Sequence, residues 1–175
     1  MRLAAIATDD QESRTELDSH ADTCVVGAND LLTHDYEVPM KVTGYDKSAG
    51  HKVYKTVSAA VAYDDPITGT TIILHAHQAI LIPQISHNLR CPMQLRINDV
   101  EVNDVPKFLV RHPTDRTHSI VIATDDNNDL IIPLALAGVT SYFPTRKPTR
   151  DEYARAIADG RYYNLTAANP PGPGS

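Results

Sequence analysis

Residues 15–27 read T-E-L-D-S-H-A-D-T-C-V-V-G, and they decide the fold that this sequence predicts. Asp18 directly follows an apolar residue, a hydroxyl and a small residue come after it, and a β-rich run begins at Thr23. The pattern predicts a strand that delivers one carboxylate into a tight turn, after which the chain re-enters a sheet. Two such carboxylates that face each other can share one proton, so that one acts as a base towards water and the other as an acid.

Residues 17–23 resemble the active-site segment of retropepsins, the aspartic proteases of retroviruses and retrotransposons, whose pattern is an apolar residue, Asp, Ser or Thr, Gly, and Ala. Residues 79–89 resemble the strand–turn–helix segment near the end of the same fold. The Met-Gln-Leu at residues 93–95 is especially like copia-type retrotransposon polyproteins. The spacing from Asp18 to Asn88 suits one retropepsin lobe, and the resemblance covers roughly residues 1–100.

The resemblance implies a role for each residue of the turn. Asp18 would be the catalytic acid, and Ser19 would hydrogen-bond across the axis of a dimer. Ala21 would have to be small because a peptide passes close by. Asp22 would bind the backbone of the substrate.

His20 replaces the glycine of the family pattern, and three interpretations of it stay open. Its side chain projects outwards from a slightly reshaped loop and leaves an active protease. Alternatively, His20 tunes the Asp18 pair, because a nearby imidazolium lowers the pKa of a carboxylate. In the third interpretation it blocks the cleft and leaves a protease-like fold without activity.

Two β-like runs, residues 40–45 and 51–62, flank turn-forming residues and predict a hairpin. An ordinary surface hairpin would give the same pattern. In the resemblance this hairpin is the flap, a mobile element that closes over bound peptide through backbone hydrogen bonds, with Ser48, Ala49 and Gly50 at its tip.

Two residues of the second stretch are expected to support the site. His87 lies where the family often has a basic residue that pairs with the acid at Asp22, so the resemblance implies an Asp22–His87 contact within one subunit. Asn88 is expected to bridge the start of a short helix, predicted over residues 88–97, to the active-site strand. Pro92 suits the first turn of that helix, where a missing N–H group is tolerated.

The composition is that of a globular protein rich in strand-forming Val, Ile and Thr, with 42% hydrophobic and 22% charged residues among 175. A net charge of −6 argues against nucleic acid as a partner. The sequence has neither a long apolar run for a membrane nor a signal peptide, and its two cysteines give no disulfide framework. We therefore expect no membrane partner and an intracellular location, in the cytoplasm or in a virus-like particle.

The predicted fold is mainly all-β, a retropepsin-like protease domain over residues 1–100 with a flap hairpin and a short helix. Residues 101–166 add a C-terminal hairpin, at 119–123 and 130–136, and a helix over 149–158, and the sequence leaves open whether they belong to the same fold. Residues 167–175 are rich in Pro and Gly and predict a disordered tail. Because the chain holds only one acid motif, the active form would be a homodimer with Asp18 from each subunit.

The expected function is that of an aspartic endopeptidase that cleaves peptide bonds of its own Gag-Pol polyprotein, with no metal and no other cofactor. One alternative is a catalytically inactive retropepsin-like module that dimerises or binds peptides. A second alternative is a metal-binding domain, because acidic, histidine and cysteine side chains alternate in two places and would share one face of an extended strand. These residues are Asp18, His20, Asp22 and Cys24 in the first place, and His75 and His77 in the second.

Overall fold

The computed structural model describes residues 13–43, 48 and 50–167. These residues form a mainly β protein, which confirms the predicted class. The strands are β1 (Arg14–Leu17), β2 (Val25–Val26), β3 (Leu31–Thr43), β4 (His51–Asp64), β5 (Thr71–Leu81), β6 (Asn88–Arg90), β7 (Glu101–Asn103), β8 (Ser119–Ile122), β9 (Leu130–Pro133), β10 (Ala135–Ala137), β11 (Thr140–Pro144) and β12 (Tyr162–Asn164). The helices are α1 (Pro92–Ile97) and α2 (Arg150–Ala158), with a 3-10 turn at Lys107–Leu109. No helix in the described ranges is long and apolar enough to cross a membrane.

The larger sheet has the strand order β10-β11-β1-β6-β2-β5-β4-β3, and β12 pairs with β5 as well. Strand β6 is parallel to β1 on one side and antiparallel to β2 on the other. Because β1 and β2 flank β6 in this way, the segment that joins them must cross the end of β6. The turn that carries Asp18 therefore lies above the point where β6 leads into α1.

The chain beyond residue 100 shares this sheet and its core. Strand β11 pairs antiparallel with β1, and β12 pairs parallel with β5. Leu17, Val26 and Leu74 belong to one buried apolar cluster with Phe143 and Leu165. The segments before and after residue 100 therefore fold together, while β7, β8 and β9 form a second sheet of three strands.

The long hairpin of β3 and β4 corresponds to the predicted hairpin, and its strands are longer than expected. Strand β3 begins at Leu31, not at residue 40, and β4 continues to Asp64. At the tip, Ser48 and Gly50 are exposed, and Gly50 adopts a φ of 76°, which suits a residue without a Cβ. The predicted tip residue Ala49 lies outside the described residues, as does the predicted tail from residue 168 onwards.

The helix predicted over residues 88–97 begins later than expected. Asn88–Arg90 form strand β6, which inserts between β1 and β2, and α1 starts at Pro92. The prediction was wrong here because pairing with two distant strands decides the conformation of these three residues. Two other local predictions are confirmed. Strands β8 and β9 form the expected hairpin, and α2 begins after Thr149, whose hydroxyl accepts a hydrogen bond from the Glu152 N–H at 3.1 Å.

Candidate active site

Residues 18–23 are here called the Asp18 turn. Backbone hydrogen bonds position Asp18 and its carboxylate in this turn. The Asp18 N–H donates to the carbonyl oxygen of Arg90 at 3.1 Å, which ties the start of the turn to the end of β6. Oδ1 of Asp18 accepts a hydrogen bond from the His20 N–H at 2.9 Å, and the Asp18 carbonyl accepts one from the Ala21 N–H at 3.3 Å. The side chain is half-buried, so the carboxylate is oriented and still reaches the surface.

His20 occupies the glycine position of the family pattern without a strained backbone. The described non-glycine residues with positive φ are Glu37, Gln78, Asp99, His118 and Asn127, so His20 is not among them. Its side chain is exposed. The Asp18 turn therefore does not depend on the conformational freedom of glycine at this position, and the effect of His20 on activity stays a prediction.

The other predicted residues of the turn differ in exposure. Ser19 and Asp22 are exposed, whereas Ala21 is half-buried. A hydrogen bond from Ser19 across a dimer axis involves a second chain and stays a prediction, as does the contact between Asp22 and His87.

Asn88 lies in a different element than expected. It is fully buried in β6, opposite Thr15 of β1, and does not begin a helix. Its Oδ1 atom accepts a hydrogen bond from the Gly27 N–H at 3.3 Å. Asn88 therefore bridges the strand before the turn to the residue that follows β2.

A buried ion pair below the Asp18 turn was not predicted from the sequence. Nη2 of Arg90 lies 3.0 Å from Oδ1 of Asp30, and Nη1 of Arg90 donates to the Val25 carbonyl at 3.2 Å. The second oxygen of Asp30 accepts the Gly27 N–H at 3.0 Å. Burial raises the pKa of Asp30, and the Arg90 guanidinium opposes that rise. The available signal was an arginine next to Leu89 in a short segment after an apolar run, but its partner is 60 residues away.

Gln94 connects α1 to the far end of the turn. Its Oε1 atom accepts the Cys24 N–H at 2.9 Å, and its Nε2 atom donates to the Thr23 hydroxyl at 3.2 Å. The Cys91 N–H points to the sulfur of Cys24 at 3.4 Å. Both cysteines are free and buried, as expected, and desolvation raises the pKa of the Cys24 thiol. Cys24 is therefore a structural thiol and not an activated nucleophile.

His75 and His77 lie on one face of β5, as their spacing predicts, with ring centroids 4.2 Å apart. Both rings are engaged by neutral partners. His75 hydrogen-bonds to Thr33 at 2.6 Å and to the Tyr162 hydroxyl, and desolvation, reinforced by the nearby His77, lowers the pKa of His75 to about 4. The imidazole of His75 is therefore neutral at physiological pH.

The metal-binding interpretation has no geometric support in the described part of the chain. Residues 18–24 form a turn and not an extended strand, so the alternating side chains at 18, 20, 22 and 24 do not share a face. His77 hydrogen-bonds to Ser58 at 3.1 Å and to Asn164 at 2.7 Å. No group of three or more His, Cys, Asp or Glu side chains among the described residues could hold a metal ion.

One chain therefore supplies one Asp18 carboxylate, which is oriented by a backbone hydrogen bond. A single carboxylate cannot act as base and acid in the same step. Comparisons of this chain with protein-family models, with curated proteins and with solved structures found no match. Its function has to be inferred from the residues and their arrangement.

Proposed function

We propose that this protein is a retropepsin-like aspartic endopeptidase that acts as a homodimer. The observation that carries the proposal is the position of Asp18, on a turn that joins the two strands flanking β6 and is anchored by the Arg90 carbonyl. The long hairpin of β3 and β4 extends from the same sheet and supports the role of a flap. The sequence of the Asp18 turn agrees with this arrangement.

In the proposed reaction, the Asp18 carboxylates of two subunits share one proton and hold a water molecule between them. The ionised carboxylate removes a proton from the water as its oxygen attacks the peptide carbonyl carbon. The protonated carboxyl donates its proton to the carbonyl oxygen. The tetrahedral intermediate then collapses: the carboxyl that took the water proton donates it to the amide nitrogen, and the other carboxylate takes a proton from a hydroxyl of the intermediate. The C–N bond breaks, the amine leaves, and the pair again holds one proton. The two pKa values of this pair belong to the dimer and not to either residue.

The proposed substrate is the Gag-Pol polyprotein of a copia-type retrotransposon, of which this protease would be one product. This part of the proposal is supported by the likeness of residues 93–95 to copia-type polyproteins. The proposed location follows from the substrate and is the cytoplasm or a virus-like particle.

An inactive module that dimerises or binds peptides is the second candidate, and His20 favours it. An exposed imidazole at the second position after Asp18 would lie near the axis of a dimer in which two Asp18 turns meet. Two such side chains could occupy the space that the peptide needs. The rival proposals differ in whether the intact dimer hydrolyses peptides.

The test is the cleavage of a fluorogenic peptide pool, and of a longer precursor, between pH 4 and pH 8. We expect Asp18→Asn to lower kcat/KM by at least about 10³-fold while the dimer persists in sedimentation, because the dyad loses its base. Asp99→Asn is the matched control, since Asp99 is exposed and has a φ of 61°, which Asn tolerates. Pepstatin should inhibit the wild type and a chelator should not. An intact wild-type dimer without activity at any pH would favour the inactive module.

A further inference from the structure

A cavity of about 340 Å³ opens beside the Asp18 turn. Ala21 and Asp22 of the turn line the cavity, α1 contributes Met93 and Ile97, and the chain after β12 contributes Thr166 and Ala167. We propose that this cavity is a substrate subsite that binds one apolar side chain of the peptide, with selectivity set by α1 and by the segment after β12. This inference rests on the proposed protease function, since it assigns a role within the same cleft.

The exposed surface of α1 suits an apolar ligand. Met93 and Ile97 are four residues apart and therefore share a face of the helix. They are 60% and 55% exposed, whereas Leu95 on the opposite side is fully buried in the core. Helix α1 therefore packs one face against the core and exposes two large apolar side chains next to the cavity. Such an exposed apolar surface is typical of a binding site.

The position of this surface relative to Asp18 is fixed by direct contacts. Gln94 of α1 hydrogen-bonds to the backbone of Cys24 and to the hydroxyl of Thr23. These residues lie at the end of the turn that begins with Asp18. A peptide held at the Asp18 carboxylate would therefore meet the α1 surface at a defined position along its sequence.

The outer wall of the cavity is held by hydrogen bonds to β5. The Thr166 hydroxyl accepts the His77 N–H at 2.7 Å and donates to the His77 carbonyl at 3.2 Å. Leu165 is fully buried, and its N–H donates to the carbonyl of His75 at 2.8 Å. Ala167 follows directly, so a hydrogen-bonded segment from outside the first hundred residues borders the cavity.

The residues that line the cavity determine which peptide side chain it would bind. A volume of about 340 Å³ lies at the low end of the range of ligand sites, which suits one large side chain better than a separate small molecule. The alanines at 21 and 167 leave this space, and the buried Cys91 adds apolar surface to it. The carboxylate of Asp22, which also lines the cavity, disfavours an acidic side chain. The subsite is therefore expected to prefer Leu, Met or Phe over Ala and to reject Asp.

The test uses fluorogenic decapeptide pools in which each position is fixed in turn as Ala, Leu, Phe or Asp. At one position, the wild type is expected to prefer Leu over Ala at least about tenfold in kcat/KM. Ala167→Leu fills the cavity and should lower the preference for Leu over Ala about tenfold. Ile97→Ala enlarges the cavity and should raise the preference for Phe over Leu about threefold or more. Ile157→Ala is the matched control, because Ile157 is 48% exposed on α2 and does not line the cavity.

The same pools are then bound to Asp18→Asn in fluorescence polarisation, which separates this inference from the protease proposal. Binding by Asp18→Asn with the expected preference, without cleavage by the wild type, supports the subsite and overturns the protease. Cleavage with preferences that Ala167→Leu and Ile97→Ala leave unchanged overturns the subsite alone. If these variants change only the dissociation constant of the dimer, the cavity is a subunit contact and the inference is also overturned. Absence of both binding and cleavage overturns both.

Discussion

Arg90 and Asp30 form an ion pair inside the core, with 3.0 Å between Nη2 and Oδ1 and neither side chain accessible to solvent. The carbonyl oxygen of the same arginine accepts the Asp18 N–H, and the same aspartate accepts the Gly27 N–H. The pair therefore connects the two ends of the loop that contains the Asp18 turn. We therefore expect loss of the ion pair to destabilise the segment that carries the turn.

Arg90→Met is expected to lower the free energy of unfolding by about 3–5 kcal/mol, because it leaves the Asp30 carboxylate buried without its partner. Urea unfolding at pH 7 measures the change. Arg155→Met, on the exposed surface of α2, is the control and should cost less than about 0.5 kcal/mol. The double variant with Asp30→Asn should recover part of the loss, since the buried charge is removed. Equal effects of Arg90→Met and Arg155→Met would contradict the expectation that the buried ion pair stabilises the fold.

Gly27→Ala is expected to destabilise the protein through a steric clash and not through backbone strain. A Cβ atom at this position would lie 2.5 Å from the carbonyl oxygen of Ile85, which cannot move freely because it accepts the Ala28 N–H. We expect a loss of about 2–3 kcal/mol in the same unfolding measurement. Gly69→Ala is the comparison, with a φ of 68° and open space around it, and should cost only about 1 kcal/mol. A smaller loss for Gly27→Ala than for Gly69→Ala would show that the contact relaxes easily.

Local patterns predicted the local structure well. The hairpin of β3 and β4, the hairpin of β8 and β9 and the helix α2 all depend on residues that are close in sequence. The predicted start of α1 was wrong because Asn88–Arg90 pair with β1 and β2, more than 60 residues earlier. The Asp30–Arg90 pair is as distant, so no periodicity within either segment reveals it.

The candidate site was predictable only in part, for the same reason. The motif around Asp18 indicated the turn, whereas the direction of the His20 side chain was left open and is seen to be exposed. The contribution of Thr166 and Ala167 could not be read from the sequence. It depends on the parallel pairing of β12 with β5, which brings together residues almost 90 positions apart.

His20→Ala is expected to change the free energy of unfolding by less than about 0.5 kcal/mol, because the side chain is exposed and the backbone is unstrained. For the protease proposal, kcat/KM at the optimum should stay within about twofold of the wild type. A twofold change corresponds to a change of less than about 0.5 kcal/mol in the activation free energy. Activity measured between pH 4 and pH 8 checks this, with the exposed His112→Ala as control.

The result also separates the three interpretations of His20. A tenfold or larger gain of activity in His20→Ala would mean that the imidazole obstructs the cleft. A displaced pH optimum with an unchanged maximum would mean that it tunes the Asp18 pair. Unchanged activity and an unchanged pH profile would mean that the side chain only projects into solvent.

His75 is expected to make the protein less stable in acid. Its pKa is about 4 in the folded protein and about 6.5 in an unfolded chain. Between these values the unfolded chain binds a proton that the folded protein does not, so the free energy of unfolding falls as the pH drops from 6.5 to 4. The loss from this residue is at most about 3 kcal/mol. The raised pKa of Asp30 acts in the opposite direction, so the comparison must be made between the wild type and a His75 variant.

Urea unfolding of the wild type and His75→Gln at pH 7, 5.5 and 4.5 provides that comparison. His75→Gln should be less stable at pH 7, because Gln cannot keep both the Thr33 and the Tyr162 hydrogen bonds in the same geometry. Its free energy of unfolding should change less with pH than that of the wild type, so the two curves should approach each other towards pH 4.5. His112→Gln, which alters an exposed histidine, should keep the wild-type slope. Parallel curves for the wild type and His75→Gln would mean that His75 is not the group that makes the fold sensitive to acid.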